Sequence, residues 1–198
     1  MKRFMSGRAR SNASSSGPSE PRVRYMDERC MESMEKYKKA KNRSRIVDII
    51  MDIPFFAMLD NQELGVVARH MNYYEIASGQ VLFKEGEPGD SVCFVIQGAL
   101  DVYKDVPPPG KPVLIASVAK NRSIGEMAVI DEYTRSATVA ARTDSSIVAL
   151  TKTGFDAILK ENPKVGAAIL KKVATIVSMN LRRTSARLAD FMNALPIT

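Results

Sequence analysis

Residues 123–139 of this chain read SIGEMAVIDEYTRSATV. Within this stretch Gly125 stands beside Glu126, and Arg135 follows nine positions after the glutamate, with Ser136 next to it. An arginine beside a serine suits a phosphate, because the guanidinium fork makes bidentate, charge-assisted hydrogen bonds. A carboxylate is repelled by phosphate and is better suited to accept hydrogen bonds from hydroxyl groups, such as those of a ribose. The stretch therefore predicts a site for a nucleotide monophosphate.

Short β-like runs surround this stretch on both sides. Between Asn72 and Leu150 the apolar pattern has a period of two, which is typical of strands. Glycine and proline turns separate the runs, for example at 85–90 and 107–110. Many short strands at this spacing predict a β-sandwich or barrel. Residues 126–130 interrupt the series and are predicted to form one short helical turn whose amides face an anion.

Helical patterns flank the β region. They cover 26–51, a short helix opened by Asp60 with Glu63 as its capping partner, another short helix opened by Thr151, and a long helix beginning at Pro163 and reaching to about residue 193. The long helix carries a side-chain seam at intervals of three or four: Leu170, Val173, Val177, Leu181, Thr184, Leu188, Phe191 and Leu195. Such a seam is typical of a coiled coil and predicts a homodimer. Packing of the same seam on the β core is the alternative.

Charge is concentrated at the N-terminus. Of the net charge of +7, residues 1–24 carry +5 and residues 25–45 carry +3, whereas the remainder carries −1. Residues 1–24 are rich in Ser, Gly, Pro and Arg, and we expect a disordered basic leader. A basic tail of this kind can also bind nucleic acid or an anionic surface.

Several function classes are disfavoured by the composition. The chain has one histidine, His70, so a multi-histidine metal site or a histidine-based triad is excluded, and no phosphate-loop or dinucleotide fingerprint occurs. We therefore expect no enzyme, no catalytic residue and no metal site. No apolar run is long enough to span a membrane, and residues 1–7 lack the apolar region of a secretory signal, so we expect none. Cys93 is expected to be buried and Cys30 unpaired with it, which favours a cytoplasmic protein.

Three features taken together resemble the cyclic nucleotide-binding domain family. They are the glycine-rich turn at 85–90, the run Phe94-Val95-Ile96-Gln97-Gly98, and the segment Gly125 to Ala137, which corresponds to the family's phosphate-binding cassette. The resemblance covers about 53–195 and implies a mainly β fold with flanking helices: an eight-stranded β-roll, N-terminal helices and a long C-terminal helix. It divides the chain into a leader (1–24), a helical segment (25–52), the β-roll (53–162) and the long helix (163–195).

The resemblance also implies roles for individual residues of the cassette. Glu126, helped by the Gly125 backbone, would accept a hydrogen bond from the ribose 2′-hydroxyl, and Arg135 would pair with the charged phosphate oxygen. Ser136 would hydrogen-bond the phosphate. The remaining expected ligand contacts in the cassette are Met127, Ala128 with its backbone N–H, and Ala137.

Within the family the chain is most similar to bacterial catabolite activator-type (Crp/Fnr-like) proteins, which share the Arg-Ser-Ala end of the cassette. Those proteins place a Thr-Ser pair of the long helix against the adenine, and Thr184-Ser185 matches it here. By the same comparison Ile115 and Val118 would line the base pocket. Catabolite activator-type proteins continue after the long helix into a helix-turn-helix DNA-binding domain. Residues 196–198 of this chain leave no room for one, so we expect no DNA contact through that motif.

The resulting prediction is a stand-alone regulatory protein that senses a cyclic nucleotide and signals by helix movement to an unidentified protein partner. The ligand is expected to be cAMP, with cGMP also possible because Ser136 is compatible with either. One alternative is a dimeric scaffold or nucleic-acid-associated protein that acts through the basic N-terminal segment. Another is a β-roll that is structural and binds no nucleotide, against which Glu126 and Arg135 argue.

Overall fold

The computed structural model describes residues 43–106, 112–131 and 133–194. The predicted leader, the first part of the helix predicted for 26–51, Cys30 and Leu195 lie outside these residues. The described helices are α1 (Arg43–Met51), α2 (Asn61–Ala68), α3 (Lys152–Glu161) and α4 (Pro163–Ala194). The described strands are β1 (Met71–Ile76), β2 (Val81–Phe83), β3 (Ser91–Gln97), β4 (Ala99–Lys104), β5 (Val113–Ala119), β6 (Ser123–Ile124), β7 (Thr138–Ala141) and β8 (Ser145–Thr151). A single 3₁₀ turn, Glu126–Val129, lies between β6 and β7.

The strands form two antiparallel four-stranded sheets, ordered β1-β8-β3-β6 and β2-β7-β4-β5. The inner faces of the two sheets share one apolar core, to which Phe83, Leu100, Val139 and Ile147 contribute. The helices pack on the outer face of the first sheet and make a second core. This arrangement confirms the predicted mainly β fold with eight strands, flanking helices and a long C-terminal helix.

Strand β3 shows why the central runs of the sequence are apolar without interruption. Its side chains alternate between the two faces of the sheet. Cys93 and Val95 enter the core between the sheets, whereas Val92 and Phe94 enter the core beneath the helices. Because both faces of the strand are covered, all four residues are buried. Burial raises the pKa of the Cys93 thiol to about 11, so this free cysteine is neutral.

Two predicted helix starts are confirmed by their capping groups. The Asp60 carboxylate accepts hydrogen bonds from the amides of Gln62 and Glu63, and the Glu63 carboxylate accepts from the Asp60 amide. This reciprocal pair satisfies amides that the first turn of a helix leaves free. At α3 the Thr151 hydroxyl accepts from the Gly154 amide.

The long helix α4 has two unlike halves. In its first half Val165, Ile169 and Val173 are fully buried against the helix core. Beyond Met179 the helix exposes most of its surface, including Leu181 and Leu188. Val173 was predicted to be part of an intersubunit seam, but the structure places it inside this chain's own core. Within the described ranges, no helix is long and apolar enough to cross a membrane.

Candidate functional site

The site begins at a tight turn that connects β6 to the 3₁₀ turn. Gly125 has a φ of 78°, in the left-handed region that L side chains rarely adopt. A Cβ at this position would lie 2.5 Å from Nη1 of Arg135 and 3.2 Å from the carbonyl oxygen of Ser91. Glycine is therefore required both by the backbone conformation and by the close approach of the arginine.

Arg135 lies buried behind this turn, with 6% of its surface exposed. Its Nη1 donates to the carbonyl oxygen of Ser91 at 2.8 Å and to that of Gly125 at 3.4 Å. Its Nη2 contacts the Asp90 carboxylate at 3.3 Å and the Ser91 hydroxyl at 3.3 Å. The guanidinium also stacks over the ring of Phe83, 4.1 Å from the ring centroid. These contacts hold a cation in a place from which water is largely excluded.

One donor of this guanidinium has no partner. Nε of Arg135 is buried and makes no hydrogen bond to the residues that the structure describes. An unsatisfied buried donor is costly, more so on a charged group. An anionic acceptor at this place would remove that cost, so the arrangement fits a phosphate.

Backbone contacts hold the end of the cassette against the turn between β2 and β3. The Gly86 amide donates to the carbonyl oxygen of Arg135 at 2.9 Å, and the Arg135 amide donates to that of Glu87 at 2.7 Å. Gly89 in the same turn approaches so closely that a Cβ there would lie 2.7 Å from the Cβ of Ala128. The glycine-rich turn is therefore needed to bring both ends of the cassette together.

Glu126 is a buried carboxylate with a partner on α4. It is 7% exposed, and its Oε1 accepts a hydrogen bond from Nδ2 of Asn180 at 3.1 Å. Burial raises the pKa of Glu126, an effect opposed by hydrogen bonds from its own backbone and from Asn180. Burial disfavours the charged form, whereas hydrogen bonds to the carboxylate favour it. The Glu126 carboxylate accepts one hydrogen bond from Asn180 and can accept more from a ligand bound near the arginine.

The other predicted cassette residues divide by exposure. Ala128 and Ala137 are buried: Ala137 belongs to the core between the sheets, and Ala128 lies against Gly89. Met127 and Ser136 are exposed, and the Ser136 carbonyl oxygen accepts a hydrogen bond from Lys104 at 2.9 Å. The structure therefore brings Gly125, Glu126, Ala128 and Arg135 together, with Ser136 at their rim.

The two residues predicted to line a base pocket on β5 lie in different surroundings. Val118 pairs with Leu100 and belongs to the core between the sheets. Ile115 is 48% exposed and has no partner on β4, because the register passes from Ala116 directly to Leu114. Ile115 is thus the extra residue of a β-bulge, a device that redirects a side chain.

Thr184 and Ser185 are exposed on α4. Thr184 follows Asn180 by four positions, so the two side chains lie on one face of the helix, one turn apart. Because Asn180 contacts Glu126, this face of α4 points towards the cassette. Asn180 was not among the predicted site residues, although a polar residue in line with the buried positions of a helix is a usable signal.

The residues that hold the arginine were not predicted either. Asp90 directly precedes strand β3, Ser91 begins it, and Phe83 ends strand β2. Their contacts with Arg135 depend on the pairing of distant strands, which no local pattern reveals. The adjacent carboxylate and hydroxyl at the start of an apolar strand were the available signal.

Comparisons with known proteins agree with this geometry. A family model for the cyclic nucleotide-binding domain matches residues 74–162, which include the cassette. A solved cyclic nucleotide-binding domain from Methylobacillus flagellatus KT is 25% identical, with a TM-score of 0.70; the match covers 87% of this chain and 98% of that one. The solved N-terminal domain of a transcriptional regulator from Streptomyces coelicolor A3(2) is 30% identical, with a TM-score of 0.59, over 71% of this chain and 95% of that one.

A curated relative shows the same region inside a much larger protein. The lysophospholipase nte1 of Neurospora crassa is 31% identical over 104 residues, or 52% of this chain. This chain spans only 7% of that protein's length. The match is therefore confined to a small part of the enzyme. Together with the buried arginine, the glycine turn and the two-sheet fold, these matches show that the chain belongs to the cyclic nucleotide-binding domain family.

Proposed function

We propose that this chain is a regulatory protein that binds cAMP in the cassette and signals through α4 to a protein partner. The observation that carries the proposal is the buried guanidinium of Arg135, whose Nε lacks a partner among the described residues. A cyclic phosphate carries one negative charge and two exocyclic oxygens, so it can neutralise this cation and accept from its free donor.

The proposed ligand contacts follow from the placement of the cassette residues. Arg135 pairs with the phosphate, and Ser136 donates to it. The Ala128 amide, which donates to the carbonyl oxygen of Gly125 at 3.2 Å in the free protein, donates to the phosphate instead. The carboxylate of Glu126, with the Gly125 backbone, binds the ribose 2′-hydroxyl. Met127 covers the outer side of the ligand, and the small side chain of Ala137 leaves it room.

The base is proposed to lie between β5 and α4. Ile115 and Val118 are the candidates on the strand, and Thr184 and Ser185 are the candidates on the helix. The exposed hydroxyls of Thr184 and Ser185 offer hydrogen bonds to an adenine amino group. The same hydroxyls suit other bases, so the comparison with cGMP is part of the test.

Movement of α4 is the proposed output. Asn180 ties this helix to Glu126, the residue proposed to receive the ribose hydroxyl. A hydroxyl that donates to the same carboxylate changes the strength of that tie. Ligand binding thereby favours one position of α4 over another, which a partner protein can recognise.

Isothermal titration calorimetry of the full chain with cAMP and with cGMP tests the ligand. We expect cAMP to bind with a dissociation constant well below about 100 μM and more tightly than cGMP. At 100 times the dissociation constant, the ligand should stabilise the fold by about 2.7 kcal/mol. Absence of binding by either nucleotide at about 100 μM would refute the proposal.

The first prediction concerns the phosphate contact. Arg135→Lys keeps a positive charge but loses the planar fork and the Nε donor, so we expect cAMP affinity to fall by roughly 100-fold, about two charge-assisted hydrogen bonds. Calorimetry measures the change. Arg122→Ala removes an exposed arginine at the β5–β6 turn and should bind like wild type. Equal affinities of the Arg135→Lys variant and wild type would contradict the assigned role.

A further inference from the structure

The ammonium group of Lys104 lies on the outer side of the cassette's end. Lys104 is the last residue of β4, and its side chain is 42% exposed. Its Nζ donates to the carbonyl oxygen of Ser136 at 2.9 Å and also contacts the carboxylate of Glu85. The lysine therefore reaches from one strand across to the segment proposed to bind the phosphate.

Glu85 fixes the position of this ammonium group. Its carboxylate also accepts a hydrogen bond from the Asp105 amide at 3.2 Å. Its own amide donates to the hydroxyl of Thr138 at 3.0 Å, two residues after Ser136. The hydrogen bond from Lys104 lowers the pKa of Glu85, so the carboxylate stays charged and keeps the lysine in place. The contacts of Lys104 and Glu85 thus connect β4, the β2–β3 turn and the start of β7.

The peptide bond between Ser136 and Ala137 transmits this contact. In a planar trans peptide the C=O and the following N–H point in opposite directions. A carbonyl directed at Lys104 therefore directs the Ala137 N–H to the opposite side of the chain. A cation on the oxygen also polarises the peptide, which makes its N–H a stronger donor.

We propose that Lys104 is a positioning residue of the phosphate subsite: it holds the Ser136 carbonyl so that the Ala137 amide donates to one exocyclic oxygen of the cyclic phosphate. The proposal rests on the function proposed above and adds a residue that lies outside the cassette. Lys104 touches no ligand atom in this scheme and acts only through the Ser136–Ala137 peptide.

The second prediction follows from this role. In the full chain, Lys104→Met keeps the length of the side chain and removes the donor, so we expect cAMP affinity to fall about tenfold, the loss of about one hydrogen bond. The two diastereomers of the cyclic phosphorothioate place sulfur, a weaker acceptor, at one exocyclic position or the other. Because the amide reaches only one oxygen, the ratio of the two affinities should change in the variant. A variant that weakens both isomers equally, or neither, would overturn the proposal.

Two further variants separate position from charge. Lys120→Met removes the same charge at an exposed site directly after the end of β5, and it should leave both the affinity and the isomer ratio unchanged. The double variant Lys104→Met with Glu85→Gln removes the carboxylate left unpaired by the first change. If the double variant regained wild-type affinity, Lys104 would act by neutralising Glu85 alone, and the positioning role would be wrong. If the affinity of the double variant stays low, the positioning role of Lys104 is supported.

A measurement on the free protein keeps this inference independent of the proposed function. In amide-resolved NMR spectra, Lys104→Met should move the proton resonance of Ala137 upfield, because the polarising cation is gone, while Lys120→Met should not. If the Ala137 resonance does not move, Lys104 does not polarise the Ser136–Ala137 peptide and the proposed positioning role is wrong. Failure of wild type to bind cAMP would instead contradict the proposed function, and the two results are thereby distinguished.

Discussion

At the scale of single residues, the site combines two buried charges that are compensated by different means. Arg135 is surrounded by carbonyl oxygens, one exposed carboxylate and an aromatic face, but its Nε donor has no partner among the described residues. Glu126 has one donor from α4 and is otherwise covered. Burial makes both groups sensitive to what approaches them, because charges interact more strongly in a dry site.

The third prediction is a pH dependence set by Glu126. Burial raises its pKa above the ordinary 4.5 in the folded protein, so the carboxyl takes up a proton more readily folded than unfolded. Its contribution to the free energy of unfolding is therefore full below 4.5 and is lost as the pH rises through the raised pKa. Binding has the opposite sign: the ribose hydroxyl donates to the ionised form, so cAMP affinity should fall as the pH is lowered through the raised pKa.

Affinities measured by calorimetry between about pH 8 and pH 4.5 check this expectation, with an effect of about tenfold for one charge-assisted hydrogen bond. Glu126→Gln keeps an acceptor without a titration and should bind less tightly with a flatter profile. The 2′-deoxy analogue of cAMP lacks the hydroxyl that donates to Glu126. Its affinity for the wild-type protein should therefore not fall as the pH is lowered over this range. Glu75→Gln, which removes an exposed carboxyl on β1, is the control. A step that persists with the deoxy analogue would exclude Glu126 as the ribose partner.

At the scale of elements, α4 is anchored at one end and tied at one point further along. In its first half the side chains of Val165, Ile169 and Val173 are buried in the core. In its second half Asn180 makes a hydrogen bond to the cassette. An apolar contact would be indifferent to charge at the site. A hydrogen bond to a carboxylate is not, and this difference makes the tie a suitable sensor of the ligand.

The fourth prediction concerns this tie. Asn180→Ala should leave the β-roll intact but loosen the second half of α4 in the free protein, since a hydrogen bond to a charged group is lost. Hydrogen exchange of the α4 amides beyond Ile176 should then rise by roughly tenfold, while exchange in β3 and β8 stays unchanged. Asn193→Ala, on the exposed end of the same helix, serves as the matched control. Unchanged exchange in the Asn180→Ala variant would show that the tie does not hold the helix.

The elements also show what the sequence could predict. Capping residues such as Asp60 and Thr151 act locally, so both helix starts were predictable. Strand β6 has only two residues and pairs with β3, so it carries no period that could be recognised. The bulge at Ile115 shifts the side-chain alternation of β5, and no local sequence pattern marks where it occurs.

The cassette was predictable for a different reason. Gly125, Glu126, Arg135 and Ser136 lie within one short segment, 125–136, so their types alone indicated phosphate and ribose chemistry. Asn180 and Lys104 reach the same site from distant parts of the chain. Their contributions depend on tertiary packing and became visible only in the folded structure.

At the scale of the whole molecule, the exposed half of α4 presents an apolar stripe that is interrupted by Ser185. Leu181, Leu188 and Met192 lie on one side of the helix, and each has about 60% of its surface exposed. At about 100° per residue, the stripe lies roughly a quarter turn around the helix from the line that carries Val173 and Asn180. We infer that a second copy of this chain covers the stripe, as the seam in the sequence suggested.

The fifth prediction tests this homodimer. A charge placed in a buried apolar seam is costly, so Leu181→Glu together with Leu188→Glu should convert a dimer to a monomer at micromolar concentration, as measured by analytical ultracentrifugation. Met179→Glu is the matched control, because Met179 is also exposed and apolar but lies on the opposite side of α4. We expect the control to stay dimeric, and cAMP affinity of the double variant to fall if the partner's helix completes the base pocket. A wild-type monomer, or a dimer in both variants, would exclude the stripe as the interface.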